Sequence, residues 1–218
     1  MRSVRLFMRR IGVPKNQEWA ALAAMAFFSL FIAGVVGVKA ASNAIFLANN
    51  DPKTLPALYI LSAASVAFGS YLMAQPLARY SAYSVGRHAL RITAILLIVL
   101  GIASWWRVPG LEAMLYVVAE TYTTLLSILF WSTLSEVLDL RTSKRVLGVI
   151  GASGMAGSVI GGAIVTQTSA SFDPAWQVVA AGVLLLGASP LFRMIGQNKR
   201  GTVVPRKTGG QARINAGL

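Results

Sequence analysis

The residues most able to do chemistry in this chain stand where acyl chains would surround them. Glu120 lies ten residues into an apolar run that starts near Leu111. An acidic side chain at the centre of a membrane helix carries an insertion penalty of about 2.5–3.5 kcal/mol. Thr124, Ser127, Trp131 and Ser135 follow it at +4, +7, +11 and +15, which is one stripe of a helix. Such a stripe faces a wet cavity or other helices rather than lipid; both readings stay open at this point. Lys39 is the second charge in an apolar setting. It either closes the first apolar run and snorkels to the headgroups, or lies inside a helix that continues through Ala40 to Leu47 and then needs a partner. Lys39, Asn43, Glu120, Thr124, Ser127 and Trp131 are the polar and aromatic residues that such a cavity or interface would gather.

Other chemistries find no support. With zero cysteines the chain has no disulfide, no thiolate metal site and no cysteine nucleophile. His88, the single histidine, sits between Arg87 and Arg91 without a ligand cluster. No nucleophile, base and orienting group come together in the sequence, so neither an enzyme, a metal site nor a cofactor is expected. The stretch from Gly148 to Ser158 superficially resembles a phosphate loop, but it lacks the lysine-serine pair and the preceding strand. Gly151, Gly154, Gly157 and Gly161 instead suggest a smooth helix surface for close backbone approach.

The elements that must position these residues follow from composition. Of 218 residues, 56% are hydrophobic and 12% charged, against roughly 25% charged in soluble chains. Mean hydropathy is +0.64. The apolar residues fall into six blocks, each near the 20 or so residues that a bilayer core requires. The expected spans are Trp19–Val38, Leu55–Leu77, Ala89–Trp106, Leu111–Leu138, Val146–Thr168 and Ala175–Ile195. Prolines at Pro52, Pro109 and Pro174 punctuate them. Residues 1–18 read as a basic segment, 19–196 as an all-α transmembrane domain, and 197–218 as a disordered basic tail. Trp19, Trp105, Trp106 and Trp176 fall near span ends, as interfacial anchors do.

The net charge of +13 is distributed by loop. Six spans place seventeen basic residues on one side and leave Lys39, Lys53 and Arg107 on the other. This asymmetry predicts cytoplasmic termini and argues against a nucleic-acid patch; the expected location is a bacterial inner membrane. The same alternation favours retention of the first span over its removal as a signal peptide at Val38-Lys39-Ala40. Glu136, Asp139, Arg141, Lys144 and Arg145 form an expected charge cluster at the cytoplasmic end. Membrane lipids, a second copy or other membrane subunits are the expected partners.

Several segments together resemble a known family. Ala119-Glu120-Thr121-Tyr122, Ser127-Ile128-Leu129-Phe130-Trp131-Ser132, Asp139-Leu140-Arg141 and Lys144-Arg145-Val146-Leu147-Gly148, followed by the small-residue helix, are similar to the bacterial and plastid ATP/ADP antiporters. That family is related to the major facilitator superfamily. Lys39, Phe46-Leu47 and Leu55-Pro56-Ala57-Leu58-Tyr59 add to the likeness, which covers about Trp19 to Gly162. The resemblance implies the N-terminal six-helix half of a major-facilitator-like fold, a 3+3 inverted repeat whose first and fourth helices border a nucleotide path. It further implies that Lys39 attracts phosphate and that Glu120 is its charge partner or a gating residue. On the strength of that resemblance, Lys39, Asn43, Glu120, Thr124, Ser127 and Trp131 are the candidate substrate-binding residues. Where the family commonly carries an arginine-aspartate pair, Ser42-Asn43 stand here.

Two functions are expected from this reading. The first is a structural or assembly subunit of a larger membrane complex, a transporter-like half that depends on a partner. The alternative is a dimeric half-size transporter exchanging nucleotides or another organic anion.

Overall fold

A computed structural model describes residues 14, 17–106, 108–138 and 140–197 of the chain, leaving aside the side chains of residues 140, 141 and 197. Every regular element in these residues is helical. Six long helices follow one another: α1 Glu18–Asn49, α2 Leu55–Arg79, α3 Ala82–Ala103, α4 Leu111–Val137, α5 Leu140–Thr168 and α6 Pro174–Gln197. All six are long and apolar enough to cross a membrane, and this makes the chain a multi-pass membrane protein.

Local chemistry sets where each helix starts. Glu18 in the first turn of α1 complements the helix dipole. Between α1 and α2, Asp51 accepts a hydrogen bond from the Lys53 amide at 2.9 Å, and Pro52 opens a short 3-10 turn through Thr54. Ser81 accepts from the Ser84 amide at 3.3 Å and caps α3. Gly110 adopts φ 84°, a left-handed conformation that a β-carbon would oppose, and α4 begins at the next residue. Asp173 accepts from the Ala175 amide at 2.8 Å, with Pro174 at the first helical position of α6.

In the bundle α1 is central, packing on α5, α6 and α4. α4 in turn meets α2 and α3, while α3 and α6 pack along each other. α2 leans on α4 and presents Ile60, Phe68 and Tyr71 outward; α5 leans on α1 and presents Met155 and Val159 outward. The core is aromatic at its centre. Phe28 stacks on Phe130 at a centroid distance of 4.8 Å, and Phe27 meets Phe130 at 5.5 Å and Phe192 at 5.2 Å. These rings join α1, α4 and α6 with the offset and tilted geometries that aromatic quadrupoles favour.

Close approach is built from glycine. A β-carbon at Gly157 would run into the Ser29 carbonyl oxygen of α1, and one at Gly161 would come within 2.7 Å of the Ala33 carbonyl oxygen. Ser153 adds a hydrogen bond from α5 to the Met25 carbonyl at 3.1 Å. Gly151 does not belong to this seam. Nothing lies within 4 Å of a β-carbon placed there, because that position turns away from α1.

Three helix boundaries differ widely from the expected spans, and the others agree to within about a turn. α1 runs on to Asn49 instead of stopping at Val38, because nothing between Val38 and Asn49 breaks a helix. α3 starts at Ala82 instead of Ala89, so Arg87 and His88 join Arg91 on the helix. α5 starts at Leu140, which puts Lys144 and Arg145 on its first turns. In each case polar residues continue a helix whose apolar face persists beyond the purely apolar window.

Candidate functional site

The extension of α1 decides the setting of Lys39. With ten further helical residues after it, Lys39 is an interior position, and its ammonium meets the Glu120 carboxylate of α4 at 2.7 Å. Opposite charges at that separation form a charge-assisted hydrogen bond. Each neutralises the other where water is scarce. The Lys39 side chain retains 41% of its accessible surface and that of Glu120 23%, so the pair lies at an open edge of the bundle.

Two of the other candidates brace this pair through the backbone. Asn43 donates from Nδ2 to the Lys39 carbonyl at 2.8 Å, and Thr124 donates from Oγ1 to the Glu120 carbonyl at 2.8 Å. Ser42 also reaches the Lys39 carbonyl, at 3.2 Å. Ser127, one turn further, donates to the Thr123 carbonyl at 3.0 Å. Each of these hydroxyl and amide groups is thus satisfied on its own helix. Trp131 is placed elsewhere. Its ring packs edge-on against Phe28 at 5.1 Å and Phe130 at 5.2 Å, at the border of the aromatic core. Ser135 is exposed near the end of α4.

The most buried face of α4 runs beside the polar stripe, through Leu115, Ala119, Leu126, Leu129 and Thr133. The stripe from Glu120 to Ser127 therefore flanks the core at half burial. A residue that the stripe omits completes the surroundings. Tyr116, fully buried one turn before Glu120, contacts Phe46 and Tyr59, each at a centroid distance of 6.1 Å. Extending the same helical stripe backward by four residues finds it.

Of the charge cluster, Glu136 accepts from the Ala82 amide at 3.0 Å, tying the end of α4 to the start of α3. Lys144 and Arg145 are exposed on α5. Asp139 and the side chain of Arg141 lie outside the described residues, as do residues 1–13 and the tail from residue 198. Among the described residues, no three histidine or carboxylate side chains come together as metal ligands. Chemically, the site offers a matched ion pair with neighbouring amide and hydroxyl groups, at the rim of an apolar bundle.

Comparison with known proteins adds no neighbour: no family model, no curated protein and no solved structure matches the chain.

Proposed function

We propose that this chain is a membrane-embedded structural subunit, a transporter-like half whose α1–α4 edge is covered by a partner within a larger assembly. One observation carries the reading: Lys39 is neutralised by Glu120 inside the same chain. An anion draws most on positive charge that no carboxylate already holds, whereas an intramembrane pair also joins two helices. Here the ammonium is committed to clamping α1 to α4. Yet the pair and its polar neighbours stay partly exposed at a bundle edge, where lipid would solvate them poorly. A second protein body satisfies that edge better than acyl chains do.

The helix contacts support a 3+3 architecture of the kind the antiporter resemblance implies. Exchanging α1 with α4, α2 with α5 and α3 with α6 carries α1·α5 onto α4·α2 and α1·α6 onto α4·α3, and it returns α3·α6 and α1·α4 to themselves. The charge asymmetry between loops supports cytoplasmic termini, and the membrane in this reading is a bacterial inner membrane.

The test is the mass and composition of the assembly extracted in mild detergent. The subunit reading expects stable co-purification with other membrane proteins, and an isolated monomer sinks it. The partial exposure of Lys39 favours a second reading, a homodimeric exchanger in which an organic anion competes with Glu120 for the ammonium. An isolated homodimer that exchanges nucleotides in liposomes, and loses exchange in Lys39→Ala, would support that reading over the first.

A further inference from the structure

α5 and α6 are joined through residues 169–173, yet both pack on α1 rather than along each other. They open a fork whose floor is α1. Small residues keep that floor low: a β-carbon added at Gly34 would meet only Leu184 and Ala181, at 3.7 and 3.8 Å, and one at Gly37 only Val165, at 4.0 Å. The fork holds a groove of about 410 Å³. Ile164 on one rim and Ala180 on the other are exposed, so the groove opens toward the surrounding acyl chains. A gap in this position belongs to the architecture: α2 and α3 form the like fork over Tyr122 of α4, with a groove of about 440 Å³.

The dimensions of the α5–α6 groove exclude a helix as its occupant. Gly161 stands seven residues before Thr168 and Leu184 eight after Trp176, so the groove runs about 10–12 Å down from the connection between the helices. That depth stays within one leaflet, about 15 Å of hydrocarbon. Spread over it, 410 Å³ gives a mean cross-section of about 35–40 Å², whereas a helix 10–12 Å across fills about 80–110 Å². A single extended chain fits. The mouth is polar and uncharged. Gln177 donates from Nε2 to Thr168 Oγ1 at 3.3 Å, and its other N–H and its Oε1 have no partner among the described residues. Phe172 and Trp176 stand exposed beside it, as aromatic rings do at the level of the headgroups. No ionisable side chain lines the groove.

We propose that the α5–α6 fork holds one phospholipid from the leaflet at that end of the bundle, with an acyl chain over Gly34 and Gly37 and an ester carbonyl accepting from the free Gln177 N–H. Shape and polarity together select this occupant: a slender apolar chain of leaflet depth that ends in a neutral hydrogen-bond acceptor. Headgroup charge is not read, because nothing charged lines the groove. Close contact along the slot and one hydrogen bond at its mouth hold this lipid against exchange with the bilayer. The inference rests on the chain crossing a membrane and is independent of its role as subunit or exchanger.

The test reconstitutes the full-length protein in phosphatidylcholine vesicles with a trace of phosphatidylcholine carrying a mid-chain diazirine, and maps photocrosslinks by peptide mass spectrometry. Met155 and Val159, exposed on α5, report the lipid that bathes the outer faces. Gly34 and Gly37 are buried on α1 beneath the groove, so label there reports the bound chain. Label at both places is expected. Ala180→Trp fills the groove from its rim and should remove the label at Gly34 and Gly37 while sparing Met155 and Val159. Gln177→Leu should lower it about fivefold through loss of one hydrogen bond. A phosphatidylglycerol probe of the same chain should label as phosphatidylcholine does. Circular dichroism shows whether each variant remains folded. Wild-type protein without label at Gly34 and Gly37 overturns the proposal and leaves the fork to a partner protein. Label undiminished in folded Ala180→Trp or Gln177→Leu also overturns it, and so does label that follows headgroup charge.

Discussion

At the scale of single residues, the Lys39–Glu120 pair is where the chain commits its intramembrane charge, and the two partners are not equivalent. Lys39 has a four-carbon stem and can carry its ammonium toward an interface when Glu120 is removed. Glu120 is too short to escape. Lys39→Met should therefore cost more than Glu120→Gln, with a coupling between them of about 1–3 kcal/mol. The double variant K39M/E120Q should recover much of the loss, since no uncompensated charge remains. Thermal unfolding in detergent, followed by circular dichroism, checks this double-mutant cycle. Strictly additive losses would show that the pair does not clamp α1 to α4. The acid itself was legible in the sequence, because a carboxylate inside an apolar run stands out. Its partner was legible only as a choice between two depths, since composition does not say whether a helix continues through Ala41-Ser42-Asn43. Tyr116 escaped notice because a tyrosine in an apolar run resembles any other core aromatic.

At the scale of elements, the α1–α5 seam depends on which glycines face α1. Gly157→Ala places a methyl group against the Ser29 carbonyl and should destabilise the protein by about 1–3 kcal/mol, through overpacking. Gly151→Ala meets open space and gains helix propensity, so it should be neutral or stabilising by up to about 1 kcal/mol. Melting temperatures of the two variants in one detergent decide the matter; equal losses would mean that the seam is placed wrongly. A run of small residues announced a packing helix, but not which of its faces packs. Spacing alone treats Gly151 and Gly154 alike, and only the position of α1 separates them. Helix ends were harder still. Hydropathy marks the stretch that lipid can cover, whereas helices continue into polar turns until a cap intervenes, as at Asp51, Ser81 and Asp173. This is why Arg87 and His88 fall outside the expected span and yet lie on α3 in the fold. The glycines joining α3 to α6 gave no such warning. Gly101 against Val179 and Gly182 against Ala94 and Ile98 are isolated in sequence and meet only in three dimensions.

At the scale of the whole molecule, six helices in alternation put the Pro52–Thr54 turn and the α5–α6 connection at one end of the bundle. The α2–α3 and α4–α5 connections lie at the other. The basic residues are weighted toward the second end, and translocation of short basic loops is unfavourable, so that end is expected to stay in the cytoplasm. The chain has no cysteine, which lets a single introduced thiol report its own side. Lys53→Cys and Ala170→Cys occupy exposed positions at the sparsely charged end, and Tyr80→Cys and Lys144→Cys exposed positions at the basic end. In intact bacterial cells a membrane-impermeant maleimide should label the first two and spare the last two until the membrane is opened. The reverse pattern would invert the bundle. Labelling of Lys53→Cys and Tyr80→Cys from the same side would remove α2 as a crossing, and with it the alternation on which the placement of every other helix depends. The exposed apolar faces of α2 and α5 give no comparable signal in sequence, because a side chain that meets lipid and one that meets a partner helix are drawn from the same residues. Charge thus sets which way the bundle points, while its neighbours are read from the assembly itself.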